Sequence, residues 1–287
     1  MTTSIPALVG TDWLAAHLGE PDLRVLDCSV TLVPLESGMR PESGRGAWAE
    51  AHIPGSQFAD LIRDLSDTAS RLPFMMPPAE TFAAAMARLG VGEGTRVVLY
   101  DSGAHMWATR LWWMLRAMGF DAAAVLDGGL RKWRAEGRPV TAEATTSPPP
   151  ARFVARPRPR TFVDKAQVGA TLGRDGVCLL NALSADEHAG RVGRTPRRGR
   201  IPGSRNVPAA SLVDPSTGAY LPLEELRAKF AAAGALGGGC VVTYCGGGIA
   251  ATSDAFTLVR LGVPDVAVYD GSLVEWSGDE TLPMETG

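Results

Sequence analysis

Cysteine is scarce in this chain, with four in 287 residues, and none of the four forms a CxxC pair. No Cys/His cluster has zinc-site spacing, so neither a structural zinc nor a dithiol redox motif is expected. No stretch approaches the roughly 18 unbroken apolar residues of a membrane span. The opening "MTTSIPALVGTDWLAAHLGE" has no basic leader followed by a long apolar run. A cytoplasmic, reduced protein with free thiols is the expectation. An excess of one charge is missing too: 28 Lys and Arg stand against 31 Asp and Glu, a formal net charge of -3. Such a balance gives no overall pull toward nucleic acid or a membrane surface. There is no GxGxxG with a later ribose-binding acid and no GKS or GKT, so nucleotide binding has no support either.

Glycine and proline, by contrast, are abundant, at 33 and 21 residues, so turns are many. The length suits about two domains of roughly 150 residues. The letters show why. "HIPGSQF" at 52–58 answers "RIPGSRNV" at 200–207, and "VVLYDSGAHMWATRLWWMLRAMG" at 97–119 answers "VVTYCGGGIAATSDAFTLVRLG" at 241–262. "VLDGGLRKW" at 125–133 answers "VYDGSLVEW" at 268–276, with offsets of 148, 144 and 143 along the chain. A period of that size marks a duplicated domain rather than a solenoid.

Each copy alternates strand and helix. "LRVLDCS", "TRVVLYD" and "DAAAVLDGGL" read as strands in the first half, with "TDWLAAHL", capped by Thr11, and "ATRLWWMLRAMGF" as helices. In the second half "GVCLLNA", "GCVVTYCG" and "VPDVAVYDGSL" read as strands. "TFVDKAQVGATL" opens a helix, and "PLEELRAKFAAAG" and "ATSDAFTLVRLGV" are two more. The fold class is α/β, with two tandem domains, each a mainly parallel sheet with helices on both faces. The joint is "TAEATTSPPPARFVARPRPR", which three consecutive prolines stiffen. The expected division is 1–145, a linker at 146–160, and 161–287. The site is expected beyond the carboxyl ends of the strands, in a cleft between the two domains.

One cysteine stands out. In "VVTYCGGGIAATSDAF" a buried strand ends at Cys245 and three glycines lead into a helix. Gly246, Gly247 and Gly248 can adopt backbone angles closed to other residues. Such a turn gathers main-chain N–H groups into one concavity, and the helix adds the positive end of its dipole. A thiolate there needs no cation to hold it, and the same cradle suits a persulfide anion. Cys28, Cys178 and Cys240 lie in strand patterns with no glycine nest and read as small core residues. The first copy has Asp101 where the second has Cys245, so it reads as an inactive scaffold. A cysteine phosphatase is ruled out by Ala251, which stands where the phosphate-binding Arg belongs.

On these residues the chain resembles the tandem-domain rhodanese and 3-mercaptopyruvate sulfurtransferase family. The resemblance is carried by "YDSGAHMWATRLWWMLRAMGF", "VLDGGLRKW", "HIPGS", "IPGSRNVP" and "YCGGGIAAT", and spans essentially the whole chain. It implies an inactive first domain and a second one in which Cys245 carries a persulfide, with 246–250 (Gly246, Gly247, Gly248, Ile249, Ala250) as the cradle. It implies no metal or organic cofactor. Its partners are a small anionic sulfur donor and, as acceptor, cyanide, a small thiol or a thioredoxin-like protein.

The resemblance also bears on the donor. Thiosulfate enzymes of the family resemble "CRKGVT" and mercaptopyruvate enzymes "CGSGVT"; here the loop is "CGGGIA". Without Arg or Lys it offers a dianion little, so 3-mercaptopyruvate is the expected donor and thiosulfate the alternative. Gly247 stands where the mercaptopyruvate type has a relay serine; His52 matches the histidine of that relay. Arg191 and Arg197 match the arginines that hold the donor carboxylate, and Arg198 competes with Arg197. Arg194 and Arg200 read as a solvated basic loop. Asn181 replaces a frequent family Asp. The rival reading from another class is a non-enzymatic anion-binding or redox-sensing module.

Overall fold

A computed structural model describes residues 4–35, 39–103 and 105–287. The chain divides into two compact units. One gathers Met1–Ala69, Met76–Arg158 and Pro215–Ala219; the other gathers Ser70–Met75, Pro159–Asp214 and Tyr220–Gly287. The short excursions at 70–75 and 215–219 are not legible in the proline pattern, which marks only the main joint.

The first unit runs β1 (Leu8–Val9), α1 (Thr11–His17), β2 (Leu23–Asp27), β3 (Val30–Pro34), β4 (Met39–Ser43), α2 (Arg45–Glu50), β5 (Gln57–Phe58), α3 (Ala79–Arg88), β6 (Arg96–Tyr100), α4 (Met106–Ala117), β7 (Ala123–Leu126) and α5 (Gly129–Ala135). Its sheet has the order β1-β7-β6-β2-β5 with every pairing parallel. β3 and β4 form a separate antiparallel pair. The second unit runs β8 (Phe162–Val163), α6 (Lys165–Gly169), β9 (Val177–Asn181), α7 (Ala185–His188), β10 (Arg205–Asn206), α8 (Leu223–Ala232), β11 (Cys240–Tyr244), α9 (Ala251–Arg260), β12 (Val266–Tyr269) and α10 (Ser272–Trp276). Its parallel sheet has the order β10-β9-β11-β12-β8, the same arrangement read from the other edge. The central strands β6 and β11 are buried from their second residue to their last. That is why they read as unbroken apolar runs: helices cover a parallel sheet, leaving no solvated face to alternate with.

The duplication extends to individual hydrogen bonds. Tyr100 ends β6, and its hydroxyl pairs with Ser56 Oγ at 2.7 Å and accepts the Ile53 N–H. Tyr244 ends β11, and its hydroxyl pairs with Ser204 Oγ at 2.6 Å and accepts the Ile201 N–H. The "IPGS" motif is thus a turn whose buried Ile and Ser pin it to the last residue of the central strand in each unit, with its glycine exposed. Burial pushes the Tyr244 phenol up to about 12, so it stays a neutral donor and acceptor.

Two sequence expectations are corrected. Thr11 is the first helical residue rather than the cap; Gly10 takes the cap position, and Thr11 Oγ1 donates to Glu136 instead. Phe162 and Val163 form the edge strand β8, and the helix begins after Asp164, whose side chain completes a capping box with Gln167. The proline-rich joint is tied to the first unit by main-chain hydrogen bonds. Ala151 N–H bonds to Ala87 O, Arg156 N–H to Met118 O and Arg158 N–H to Ala117 O, so this stretch lies along α3 and α4 of the first unit.

Candidate active site

Cys245 follows the last residue of β11 and is 2 % exposed. Its N–H donates to Ser272 Oγ at 3.1 Å, and that hydroxyl donates to Tyr269 O at 2.8 Å. Its carbonyl accepts the Leu273 N–H at 3.0 Å, and Gly246 O accepts the Val274 N–H at 2.8 Å. The start of α10 therefore fixes the backbone on both sides of the nucleophile candidate. Ser272 does so from φ 49°, a left-handed conformation unusual for a residue with a side chain. Sequence reasoning passed over Ser272. The signal was present, because the first copy has Gly129 at that point, also at positive φ.

Of the three glycines, only Gly248 has positive φ, at 75°. A Cβ there would stand 2.4 Å from Asp270 O, so no other residue fits without backbone movement. Gly246 and Gly247 are different: a Cβ at either meets no atom within 4 Å. Side chains would fit at those two positions, so glycine there withholds charge and hydroxyl from the loop. Ile249 and Ala250 then lead into α9, whose first turn is tightened by Thr252 N–H and Oγ1 both bonding to Ile249 O.

Beneath the turn, Asn181 is the register partner of Tyr244. Its side chain donates to Tyr244 Oη at 3.3 Å and accepts the Leu183 N–H at 2.8 Å. In the first unit this position is Asp27, whose carboxyl burial raises to about 6. There Cys28 is pushed well up, first by burial and then by the charges of Asp27 and Asp101. In the second unit Asn181 carries no such charge, and Ala182 stands at the position of Cys28.

The arginine loop divides its work. Arg191 lies on Asp186, Nε to Oδ1 at 2.8 Å, and is largely exposed. Arg197, expected on the donor, is placed otherwise. Its guanidinium donates to Ser277 O at 2.9 Å, Leu282 O at 2.9 Å, Trp276 O at 3.2 Å and Asp279 O at 2.6 Å. Four carbonyls saturate most of the fork, which makes Arg197 the clamp of the C-terminal segment. Arg200 is held by Glu285, His188 O and Gly287 O. Arg198 is exposed and has no hydrogen-bond or ion-pair partner among the described residues. His52 is buried in the first unit, with Nδ1 at 2.7 Å from Trp48 O and Nε2 at 3.3 Å from Thr145 Oγ1. Both ring nitrogens thus have partners within that unit. Among the described residues no group of three or more His, Cys, Asp or Glu could hold a metal, and no helix is long and apolar enough to cross a membrane.

One further residue was missed. Asp254, in the first turn of α9, is fully buried, and neither carboxyl oxygen has a partner among the described residues. Burial raises its pKa well above the usual carboxylate range. Above about pH 3.9 the unfolded chain releases this proton while the folded one keeps it. The favourable contribution is therefore whole below that pH and is lost as pH rises toward the raised native value. Asp254→Asn cannot ionise. It should exceed the wild type in stability by about 1–3 kcal/mol at pH 8 and by less at pH 5. Urea midpoints at the two pH values check this, and a margin independent of pH would remove the argument.

The pattern that defines the Rhodanese-like domain matches residues 10–136 and 166–279. The chain belongs to the rhodanese family. It is 34% identical over 280 residues to the 3-mercaptopyruvate sulfurtransferase of Escherichia coli K12, covering 96% of this chain and 97% of the relative. It is also 34% identical over 280 residues to the thiosulfate sulfurtransferase of Bos taurus, covering 94% and 91%. The solved structure of SseA from Escherichia coli, described as showing the rhodanese fold of 3-mercaptopyruvate sulfotransferases, matches with a TM-score of 0.82 at 33% identity. That match covers 93% of this chain and 99% of SseA. The rhodanese frame accounts for both units, each a parallel sheet with helices.

Proposed function

We propose that this rhodanese-family protein is a sulfurtransferase that carries a sulfane sulfur on Cys245, with 3-mercaptopyruvate as preferred donor. The observation that carries the reading lies in the first unit. Asp101 follows β6 as Cys245 follows β11, and its carbonyl accepts the Leu130 N–H at 2.9 Å, as that of Cys245 accepts Leu273. Among the described residues, the Asp101 carboxylate accepts the main-chain N–H groups of Gly103 at 2.9 Å, His105 at 2.9 Å, Trp107 at 3.1 Å and Ala108 at 3.2 Å. This strand–turn–helix is an anion cradle, and the first unit fills it with its own side chain. A persulfide on Cys245, Cβ–Sγ–S, repeats the Cβ–Cγ–O reach of that carboxylate. Counted back from the helix, where Thr252 Oγ1 bonds to Ile249 O as Thr109 Oγ1 bonds to Met106 O, the N–H groups corresponding to those of His105, Trp107 and Ala108 are those of Gly248, Ala250 and Ala251.

The chemistry balances without an outside oxidant. The Cys245 thiolate forms an S–S bond to the donor sulfur, and the donor C–S bond breaks toward carbon. The thiol proton passes to that carbon, leaving pyruvate and the Cys245 persulfide. With thiosulfate, the S–S bond breaks instead and sulfite leaves. An acceptor nucleophile then bonds to the outer sulfur, and the electron pair of the broken bond returns to Cys245 Sγ. Arg191 and Arg198 receive the donor carboxylate, since Arg197 is taken up by carbonyls. Cyanide and thiols are the acceptors.

The neutral loop sets the donor. With open space at Gly246 and Gly247 but no side chain in it, the turn brings no cation to the donor. A monoanionic carboxylate donor suits this better than a dianion. Steady-state rates on both donors, with cyanide as acceptor, test it. The expected kcat/KM is at least about tenfold higher for 3-mercaptopyruvate, and a preference for thiosulfate would reverse the donor assignment.

A further inference from the structure

A cavity of about 160 Å³ lies beside the Cys245 turn, wholly within the second unit. Leu183, Leu273 and Val274 supply apolar lining, and Gly246, Val192 and Arg194 also border it. Leu273 and Val274 are the residues whose N–H groups bond to the carbonyls of Cys245 and Gly246. The wall is therefore stitched to the nucleophile's own backbone. Val192 is 49% exposed, a large apolar side chain left at the rim. Arg194 is exposed and has no hydrogen-bond or ion-pair partner among the described residues. The carboxylate of Glu187, which also borders the cavity, is occupied with Ser184 Oγ at 2.7 Å.

Neither sulfur donor explains such a space. Mercaptopyruvate and thiosulfate are small and polar throughout, and an apolar wall gives them nothing. A cavity of about 150 Å³ with aliphatic lining is enough for a benzene ring. We infer that this cavity receives the carbon body of the sulfur acceptor, a small thiol bearing an aromatic or branched aliphatic group and a carboxylate that pairs with Arg194. The inference rests on the sulfurtransferase reading and specifies its second half-reaction. The acceptor thiolate bonds to the outer sulfur of the Cys245 persulfide, the Sγ–S bond breaks, and its electron pair returns to Sγ. The acceptor leaves as a persulfide and no external oxidant or reductant is consumed.

Two thiols differing only in the apolar arm make the test: 2-sulfanyl-3-phenylpropanoate and 2-sulfanylpropanoate. Cys245 is first loaded with sulfur, and discharge is followed by rapid quench and intact mass, with cyanide discharge measured alongside. The expected second-order rate is at least about tenfold higher for the phenyl compound. Val192→Asp, a change at an exposed position, should bring the ratio close to one. Arg194→Gln should lower the rate for 2-sulfanyl-3-phenylpropanoate relative to neutral 2-phenylethanethiol by about tenfold. A wild-type ratio near one, with normal loading and cyanide discharge, overturns this inference and leaves the sulfurtransferase reading standing. A high ratio that Val192→Asp does not move, or a carboxylate preference that Arg194→Gln does not move, also overturns it, because the preference then resides elsewhere. Failure of Cys245 to load at all overturns the sulfurtransferase reading itself.

Discussion

Cys245→Ser is expected to abolish sulfur transfer, with turnover falling by more than about 10⁴-fold, while the protein stays folded. The hydroxyl is close in size to the thiol, and the site is stitched by main-chain groups that the change leaves alone. Ser272 Oγ still accepts the residue-245 N–H, and Leu273 still donates to the residue-245 carbonyl. What disappears is the sulfur that forms the S–S bond. Intact mass after mixing with donor is the cleanest reading: the wild type gains about 32 Da on Cys245 and loses it to cyanide, whereas the variant gains nothing. Sulfur carried by the variant on Cys28, Cys178 or Cys240 would move the chemistry to another thiol and end the present account.

Gly248→Ala should be the most damaging change in the cradle. Its φ of 75° costs a residue with a Cβ about 1–2 kcal/mol. The Cβ also meets Asp270 O at 2.4 Å, a distance no real contact tolerates, so the backbone must move. A loss of about 2–4 kcal/mol in stability is expected. Displacing the N–H groups proposed to meet a developing anion is expected to add a fall of at least about 100-fold in kcat/KM. Gly247→Ala is the matched comparison, since its Cβ enters open space at an ordinary φ. It should cost less than about 1 kcal/mol. Equal effects from the two substitutions would mean that the glycines serve composition rather than geometry.

The sequence carries much of this because the duplication writes each unit twice. The central strands were legible as apolar runs, and Cys245 stood out because the turn beside it is specified by local chemistry. The two-residue strands β1, β5, β8 and β10 were not legible, since two residues are too few to show a period. Gly248 could not be told from its neighbours, because a positive φ leaves no letter of its own. The contacts of Arg197 were illegible for a related reason. Its four acceptors are main-chain carbonyls between Trp276 and Leu282, and carbonyls are the same on every residue. Ser272 and Asp254 did leave signals: a serine where the other copy has glycine, and an acid within an otherwise buried run of helix.

The carboxylate of Asp101 has one more consequence, for how much sulfur a molecule can hold. Titration of the protein with a labelled donor should end at one equivalent per polypeptide, although the chain contains two like halves. In the first half Asp101 stands where a thiol would be needed, and its carboxylate already accepts main-chain N–H groups, so neither excess donor nor long incubation is expected to raise the endpoint.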